Sequence, residues 1–531
     1  MNRICLTGNL LLLSLGITCC NIPNIQAPTG SAPKPVENTG EGKSGEVIIN
    51  TNISSGILIL RPILDHPKSV NQNIIAFNTG FMFTAPIENE PEVKVITETI
   101  APRVFRFPGG TIANFYHPDG KGYGFREAET RGKLPEIVKA MPLFDKNAIY
   151  HFVTLCKMAN SKVVYVANLL NGTVDEALWG IKYLRSQNIE VIGVELGNEF
   201  YFREYRADFP TVQSYITKAK AYAAAIRKYD PSLKIGAVAA DATEPNPKNE
   251  FGIFMNEWNK VLGKETFYDF YIPHLYPKVQ GCEQKGGNDL KAVFDCVDIT
   301  LATEYYNYHK VITDYYKQFY GNRKMWVTEW NVDAASTTAN TLRHAAFVGE
   351  FLMGLIDINK STDNLVEYAF FHNYGSGGYA APLFTYSNNK SAKYLKKSGN
   401  IAYNTTYFPF YYLTRLIYSG AERADEQITY PAKTDNRNIV LKTFISKDRK
   451  KMYIYYVNKS GQDYPIQLDM NGTASHLYGI KGNYPWSVAG LNGFYNSLPN
   501  MVDLVQLIDQ KLNTGNVVIP KYSVGYVEYT L

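Results

Sequence analysis

Residues 190–199 read EVIGVELGNE, a run of β-branched and apolar residues that ends in a polar Gly-Asn-Glu triplet. A helical pattern follows, because the apolar side chains of residues 212–229 recur on one helix face until Asp230-Pro231 interrupts it. The next run, KIGAVAA at residues 234–240, is again short and apolar. A strand, a helix and another strand in this order are typical of a parallel β-sheet.

The same alternation extends through most of the chain. Eight such runs, separated mostly by helical patterns, lie at residues 74–80, 104–110, 162–169, 190–199, 234–240, 267–276, 324–331 and 366–374. Eight strand-and-helix units predict a closed (β/α)8 TIM barrel. The alternative is an open doubly wound sheet, which would place a glycine-rich nucleotide loop after its first strand. Residues 78–82, NTGFM, do not supply such a loop.

The pattern changes after residue 420. Strand-like runs separated by turn residues predict a C-terminal β-sandwich over residues 420–531, with helical periodicity only at 501–512. The apolar stretches at 46–49 and 57–60 should pair with this sandwich, because an isolated hairpin is marginally stable in water. We therefore expect N-terminal strands within residues 46–65 and the barrel within residues 66–419, its last helix running from about residue 405 to residue 418.

The amino terminus predicts export. Asn2-Arg3 precedes an apolar run that ends at Cys19-Cys20, so residues 1–20 resemble a bacterial lipoprotein signal. Ordinary secretion and a buried apolar helix are the alternatives, and the sequence leaves open which of the two cysteines would carry the lipid. Residues 21–45 are rich in Pro, Gly, Ser and Thr and predict a flexible linker. We expect a protein of the bacterial cell surface or periplasm, or otherwise a secreted one.

Composition narrows the function classes. Lys and Arg number 54 and Asp and Glu number 49, a near balance that argues against a nucleic-acid-binding surface. The eight histidines form no HExxH pair and no cluster with cysteine, so we expect no metal site and no cofactor. In the folded part, Cys156 lies on a helical pattern. Cys282 and Cys296 bracket a loop rich in Gly and Lys, and we expect a disulfide between them if the protein is exported; the sequence alone does not decide whether they are bridged.

Two carboxylates occupy the positions where barrel enzymes carry their chemistry, the carboxyl ends of the strands. Glu199 ends the fourth strand and Glu329 ends the seventh, which reads MWVTEWN at residues 325–331. These two strands face each other across the barrel mouth. A retaining glycosidase needs such a pair, one carboxyl group as acid/base and one as nucleophile, ~5–5.5 Å apart.

Other candidates have structural interpretations. Glu257 also follows an Asn, but it lies on the helical pattern of residues 251–263 and should be a surface charge. Glu195 shares strand parity with Glu199, so we expect it inside the barrel in an ion pair, with Arg106 as a candidate partner. Three aromatic residues could serve as sugar platforms or as core residues: Trp326, Trp330 and His372.

These motifs resemble the clan of retaining (β/α)8 glycoside hydrolases, and within it the alpha-L-arabinofuranosidase and heparanase type. The resemblance rests on FRFPGG at 105–110, YHPDGKG at 116–122 and ELGNE at 195–199. The chain departs from arabinofuranosidases at Thr111, where they commonly carry Asn or Cys, so the sugar stays open. The resemblance implies Glu199 as acid/base, Glu329 as nucleophile, Asn198 as ligand of the hydroxyl beside the anomeric carbon, Arg106 as the cation that keeps Glu329 ionised, and His274 and Tyr276 as lining residues.

The sequence therefore predicts an exported retaining glycoside hydrolase that acts on a polysaccharide or oligosaccharide. Its expected partner is a carbohydrate substrate, with membrane contact only through a lipid anchor. Two alternatives share the fold, a carbohydrate-binding protein on an inactive hydrolase scaffold and a transglycosidase. A serine hydrolase is disfavoured because no G-x-S-x-G elbow is present. The sequence specifies neither the sugar, nor endo or exo action, nor the oligomeric state.

Overall fold

A computed structural model describes residues 56–79, 88–119, 123–130, 147–243, 247–277, 279–286, 289–332, 338–375, 382–387, 393–431, 434, 436–491 and 502–531. The predicted signal and linker, at residues 1–45, and the apolar stretch at 46–49 lie outside the described residues. Within the described part of the chain, no helix combines the length and the hydropathy needed to cross a membrane.

The chain begins with a strand of the C-terminal sheet, β1 (Leu58–Ser69), and then enters a parallel barrel of eight strand positions. The last barrel strand pairs with both the first and the seventh, which closes the barrel and confirms the predicted fold class. β7 and β8 together fill the sixth position. The barrel strands are β2 (Ala76–Asn78), β3 (Val104–Phe107), β4 (Lys162–Ala167), β5 (Val191–Leu196), β6 (Lys234–Val238), β7 (Phe270–Ile272), β8 (His274–Leu275), β9 (Met325–Trp330) and β10 (Val366–Phe371).

Helices connect these strands, and side-chain caps explain where several of them begin. In α4 (Val212–Tyr229), for example, the Thr211 side chain accepts a hydrogen bond from the Ser214 amide, and Pro231 follows the end of the helix. The other helices are α1 (Pro91–Ile100), α2 (Ala148–Ala159), α3 (Val174–Ser186), α5 (Glu250–Leu262), α6 (Gln280–Gly286), α7 (Leu290–Lys310), α8 (Lys317–Tyr320), α9 (Leu342–Thr362) and α10 (Tyr407–Tyr418).

The barrel interior is filled by side chains rather than open. Trp326 is fully buried there, and a Cβ added at Gly193 would lie 2.4 Å from its ring, so only glycine fits at that point of β5. Trp330 is also fully buried, against Phe351 of α9. Both tryptophans are therefore core residues. The inward-facing cluster around Trp326 consists of Ala76, Val104, Val164, Ile272 and Phe370.

The C-terminal domain is a nine-stranded, mostly antiparallel sheet in the order β21-β19-β23-β17-β16-β15-β1-β18-β22. β21 and β22 stand at opposite ends of this order but are separated in sequence only by Gly515, so the sheet curls back on itself around a buried core. This arrangement agrees with the predicted β-sandwich. Its strands are β15 (Glu422–Thr429), β16 (Ile439–Ile445), β17 (Lys451–Asn458), β18 (Tyr464–Leu468), β19 (Thr473–Lys481), β21 (Gln506–Thr514), β22 (Asn516–Ile519) and β23 (Ser523–Thr530).

The short strands between the two domains form two small sheets, and they are β11 (Phe384–Tyr386), β12 (Lys393–Tyr394), β13 (Lys397–Ser398), β14 (Ile401–Tyr403) and β20 (Gly490–Leu491). One local expectation is wrong. The helical periodicity of residues 501–512 does not give a helix, because residues 506–514 form β21 and pair along their length with β19. The available sheet edge supplies the backbone hydrogen bonds, and tertiary context overrides the weak local pattern.

Two further features join parts of the molecule. β1 pairs antiparallel with β15, where Ile59 faces Thr429, and parallel with β18, where Leu58 faces Ile466. The N-terminal strand thus lies between two strands of the C-terminal sheet. Between the domains, Lys459 donates a hydrogen bond from Nζ to Glu350 Oε1 of α9 over 2.7 Å, and both side chains are buried. Elsewhere, a disulfide joins the residue pair Cys282–Cys296 across α6 and α7.

Candidate active site

The loop after β5 places Glu199 at the mouth of the barrel. The backbone of Gly197 is left-handed, with φ of 89°, and a Cβ there would lie 2.0 Å from the Phe200 ring, so glycine is required twice over. Glu199 itself has φ of 51°. The Asn114 side chain clamps Asn198 by accepting a hydrogen bond from its amide and donating one to its carbonyl. This tight turn fixes the direction of the Glu199 carboxyl group.

Glu329 lies inside β9 and its side chain is 6% exposed. Arg106 of β3 donates a 2.7 Å hydrogen bond from Nη1 to Glu329 Oε1. Tyr276, just after β8, donates a 2.7 Å hydrogen bond to the other carboxylate oxygen, Oε2. The Tyr276 hydroxyl also lies 2.8 Å from Nδ1 of His372, which follows β10. Glu329 is therefore held in one orientation by residues from three strands.

Arg106 is fully buried and uses all five of its N–H groups. Nε and Nη2 form a bidentate pair with Glu195, with both distances at 2.7 Å. Nη2 also donates to Asn198 Oδ1, and Nη1 donates to Asn78 Oδ1 and Glu329 Oε1. A buried cation with five satisfied donors can neither leave nor turn without breaking several charge-assisted hydrogen bonds. Arg106 is thus a rigid positive charge beneath the site.

His274 of β8 lies between the two carboxylates. Its Nδ1 is 2.8 Å from Glu199 Oε1 and 3.8 Å from Glu329 Oε2, and its Nε2 is 3.0 Å from the Thr328 hydroxyl. That hydroxyl in turn donates to Glu195 at 3.3 Å. His274 therefore connects Glu199 to the buried ion pair under the site.

The carboxylates of Glu199 and Glu329 converge on one small space. One oxygen of each, together with a nitrogen of His274, lies within 4.8 Å of the other two. Retaining glycosidases hold their carboxyl groups ~5–5.5 Å apart, whereas inverting enzymes leave ~6.5–9.5 Å for a water molecule. The approach of the two carboxylates is compatible with the shorter of these two spacings.

The surroundings of Glu199 and Glu329 shift the pKa values of these two carboxyl groups in opposite directions. Burial raises the pKa of Glu199, and the neighbouring Glu329 charge adds to this, while His274 opposes it. Burial would also raise the pKa of Glu329, but the charges of His274 and Arg106 and the Tyr276 hydrogen bond hold that pKa well below its usual range. Glu199 is thus the weaker acid of the two and Glu329 the stronger, an arrangement that suits an acid and nucleophile pair.

The charge of His274 follows from its neighbours. Burial alone would lower its pKa, but Glu329 and Glu199 together raise the pKa of His274 to about 9. The ring therefore carries a proton on both nitrogens at neutral pH. Glu199, His274 and Glu329 are close enough to hold a metal ion. The donor set does not fit one well, because a metal needs the neutral imidazole and the guanidinium of Arg106 already occupies Glu329 Oε1.

All six predicted site residues come together in this one place, and Glu257 stays outside it, exposed on α5 beside Lys260 at 3.7 Å. Sequence reasoning missed several contributors: Asn78, Asn114, Thr328 and Asp241, whose charge adds to the raised pKa of Glu199. Asn78 and Asp241 each follow or end an apolar strand, a signal that could have pointed to them. His372, left open between platform and core, contacts Tyr276 at the site.

Comparison with known proteins places this geometry in context. No protein-family model and no curated protein sequence matches the chain. Among solved structures, a family 51 alpha-L-arabinofuranosidase from Bifidobacterium longum is similar, with a TM-score of 0.63, 15% identity and coverage of 89% of this chain and 99% of that one. The family 51 arabinofuranosidase from Xanthomonas axonopodis pv. citri gives a TM-score of 0.59 at 15% identity, covering 90% of this chain and 100% of that one.

A third similar structure is a Paenibacillus polymyxa xyloglucanase of glycoside hydrolase family 44. It gives a TM-score of 0.51 at 10% identity and covers 90% of this chain and 100% of that one. The similarity therefore spans the barrel and the C-terminal domain together. At these identities it shows the fold, and it confirms the predicted resemblance at that level.

Proposed function

We propose that this protein is an exported retaining glycoside hydrolase that cleaves a polysaccharide or oligosaccharide. The observation that carries the proposal is the pair Glu199 and Glu329, whose oxygens approach within 4.8 Å at the mouth of the barrel. The opposite pKa directions of the two groups support separate roles for them. The fold shared with arabinofuranosidases and a xyloglucanase supports a carbohydrate substrate.

In the first step Glu329 attacks the anomeric carbon while Glu199 gives its proton to the departing glycosidic oxygen. The bond to the leaving group breaks, and a glycosyl ester of Glu329 forms. Arg106 and Tyr276 hold the attacking carboxylate ionised and in place until then. Asn198, whose Nδ2 lies 3.3 Å from Glu199 Oε2, would bind the hydroxyl next to the anomeric carbon.

In the second step Glu199 removes a proton from a water molecule that attacks the same carbon. Esterification removes the negative charge of Glu329, and that charge is one of the causes that raise the pKa of Glu199. The pKa of Glu199 therefore falls once the ester has formed, and the same group changes from acid to base. The ester breaks, Glu329 leaves as a carboxylate, and the product keeps the anomeric configuration of the substrate.

The first sugars to test are those named for the similar structures, arabinofuranosides and xyloglucan fragments. Thr111 departs from the arabinofuranosidase pattern at the loop where the sugar is read, so the panel should also include aryl pyranosides and plant, algal and host glycans. The carbohydrate-binding alternative predicts binding without turnover. The transglycosidase alternative predicts that added sugar acceptors, rather than water, receive most of the glycosyl group.

The deciding experiment combines turnover with trapping. Proton NMR of the first product should show retained configuration. A 2-deoxy-2-fluoro glycoside of the active sugar should add one glycosyl mass to the protein, on the peptide that contains Glu329. Inverted product, a label on another residue, or no turnover anywhere in the panel would reject the retaining hydrolase.

Export to the cell surface by lipidation at Cys19 or Cys20 is part of the same proposal, supported by the apolar run and the polar segment that follows it. Detergent phase partitioning of the native protein should place it with membranes. Changing Cys19 and Cys20 to Ser, separately, should identify the lipidated residue. A fully soluble mature protein that begins after residue 20 would leave ordinary secretion.

A further inference from the structure

A patch of stacked arginines and phenylalanines lies beside Glu199. The loop after Glu199 forms a short turn whose Phe202 amide donates to the Glu199 carbonyl. Phe202 stacks on Phe251 of α5, with ring centroids 6.2 Å apart. The guanidinium of Arg203 lies over Phe251 at 5.4 Å, and that of Arg206 lies over Phe254 at 3.2 Å. We call these five residues the arginine rim.

The arginine rim lies on the Glu199 side of the barrel mouth. Its residues come from the loop after β5 and from the first turns of α5, which follows β6, whereas Glu329 comes from β9 across the mouth. In a retaining reaction the acid must touch the departing oxygen, so the surface continuing outward from Glu199 meets the leaving part of the glycan. Arg203 is exposed, and Phe202 and Phe251 are partly exposed, so a glycan can reach them.

In the part of the chain that the structure describes, the two guanidinium groups have no carboxylate at salt-bridge distance. Among the described residues, neither Arg203 nor Arg206 forms a side-chain hydrogen bond or an ion pair, and Arg206 Nε is buried without a partner. The charge of Glu250 attracts the Arg206 guanidinium without a direct contact, and the charge of Arg203 repels the Arg206 guanidinium. Stacking on a phenyl ring uses the face of a guanidinium and leaves its in-plane N–H groups free for an anion.

We infer that the arginine rim binds an acidic sugar unit, carboxylated or sulfated, on the leaving-group side of the cleavage site. The inference rests on the proposed glycosidase function and extends it to a substrate class, an anionic glycan. Free N–H forks match the two oxygens of a carboxylate or sulfate, and the phenylalanine rings present apolar surface to a sugar ring. Each charge-assisted contact should contribute about tenfold in affinity.

The test compares charged glycans with the same glycans after removal of the charge. Oligosaccharides of glucuronoxylan are paired with their carboxyl-reduced forms, and those of a sulfated galactan with their desulfated forms. Calorimetry with the Glu329→Gln protein measures binding, and wild-type turnover gives kcat/KM. We expect at least one charged preparation to bind about tenfold tighter than its neutral form, with an affinity that falls as salt rises. A difference within the glucuronoxylan pair would indicate recognition of a carboxylate, and a difference within the galactan pair would indicate recognition of a sulfate.

Substitution then assigns the effect to the rim. The double variant Arg203→Gln/Arg206→Gln should lose the preference for the charged form, measured as the ratio between the charged and neutral preparations. Arg103→Gln is the matched control, because Arg103 also stacks on a ring, Tyr418 at 4.4 Å, but precedes β3 at the other end of the barrel. Its ratio should equal that of the wild type, and thermal unfolding checks that all variants fold.

Two results would overturn the inference. One is that neither charged preparation binds better than its neutral form, and the other is that the double variant keeps the wild-type ratio. Failure of the proposed function is a separate observation, since a protein that turns over no aryl glycoside and no glycan is not a hydrolase. A protein that hydrolyses neutral glycans without charge preference would remain a glycosidase and refute only the acidic substrate.

Discussion

His274 Nδ1 lies 2.8 Å from Glu199 Oε1, so the Glu199 carboxyl group touches a buried imidazole that is itself charged. The same nitrogen lies 3.8 Å from Glu329 Oε2. With Arg106 below, two buried cations face three carboxylates, those of Glu195, Glu199 and Glu329. Burial and the charge of Glu329 raise the pKa of Glu199, so of the two carboxyl groups at the barrel mouth Glu199 is the one that holds a proton more readily.

The first prediction concerns stability against pH. The pKa of His274 rises from 6.5 to about 9 on folding, so its interactions stabilise the protein fully below pH 6.5 and lose that contribution as pH rises through about 9. The wild type should therefore exceed His274→Gln in unfolding free energy at pH 6 by on the order of 3 kcal/mol more than at pH 9.5. Urea unfolding at both pH values measures this, and a difference independent of pH would contradict it.

The second prediction concerns Arg106, which helps to hold the pKa of Glu329 down. Arg106→Met removes that charge, so the pKa of Glu329 should rise and the acid limb of the kcat/KM profile should move to higher pH. Arg106→Lys keeps the charge but not the five hydrogen bonds, so its limb should move less. A purely structural role for Arg106 would lower activity without moving the limb. Arg103→Gln serves as the control.

Much of the fold was predictable because each barrel strand is a short apolar run with turn residues after it. Eight such runs that alternate with helical patterns predict a closed (β/α)8 barrel. The convergence of Glu199 and Glu329 was predictable because each ends such a run, and barrel topology brings strand ends together. Both inferences use patterns within one segment of the chain plus a general rule of topology.

What the sequence did not reveal depends on contacts between distant segments. Asn78 and Thr328 matter because they meet Arg106 and His274 in space, and no local pattern marks those pairings. The strand at residues 506–514 forms because β19 offers an unpaired edge, whereas its own spacing of apolar residues imitates a helix. The charge on His274 likewise arises only from two carboxylates on other strands.

The third prediction concerns the buried ion pair between the domains. Lys459→Met leaves the Glu350 carboxylate buried without its partner, which should destabilise the protein by ~3–5 kcal/mol. The double variant Glu350→Leu/Lys459→Met should recover most of this loss, since no charge is then left unpaired. Lys291→Gln, which breaks an exposed pair with Asp295, should leave the free energy of unfolding almost unchanged, because water screens such a pair. Denaturant unfolding of the wild type and the three variants measures these changes in stability. If Lys459→Met had no effect, the stability of the interface between the domains would not depend on this ion pair.

The fourth prediction concerns β1. A chain that starts at residue 66 loses Leu58 and Leu60, both fully buried, and exposes the edges of β15 and β18 that β1 covers. Exposed edges promote pairing between molecules, so this shortened protein should aggregate. A chain that starts at residue 56 keeps all of β1 and should remain monodisperse in light scattering. A soluble, cooperatively folding 66–531 chain would show that the strand is dispensable.

The last prediction concerns the different roles of Glu199 and Glu329 in the two steps of the proposed reaction. Glu329→Ala cannot form the glycosyl ester, so it should lose activity on all substrates, and added azide should yield product of inverted configuration. Glu199→Ala should still form the ester from substrates whose leaving group needs no proton, such as dinitrophenyl glycosides. On natural glycans, loss of the general acid should lower the rate ~10²–10⁴-fold.

The Glu199→Ala protein should then accumulate the ester, visible by intact mass, and azide should release it with retained configuration because the small anion needs no general base. Glu257→Ala is the control, since Glu257 is an exposed side chain on α5 beside Lys260. If Glu257→Ala were inactive while Glu199→Ala kept full activity on natural glycans, Glu199 would not be the acid. Equal loss in both site variants on every substrate, with no trapped ester, would instead contradict double displacement, because only a two-step reaction gives its acid and its nucleophile different phenotypes.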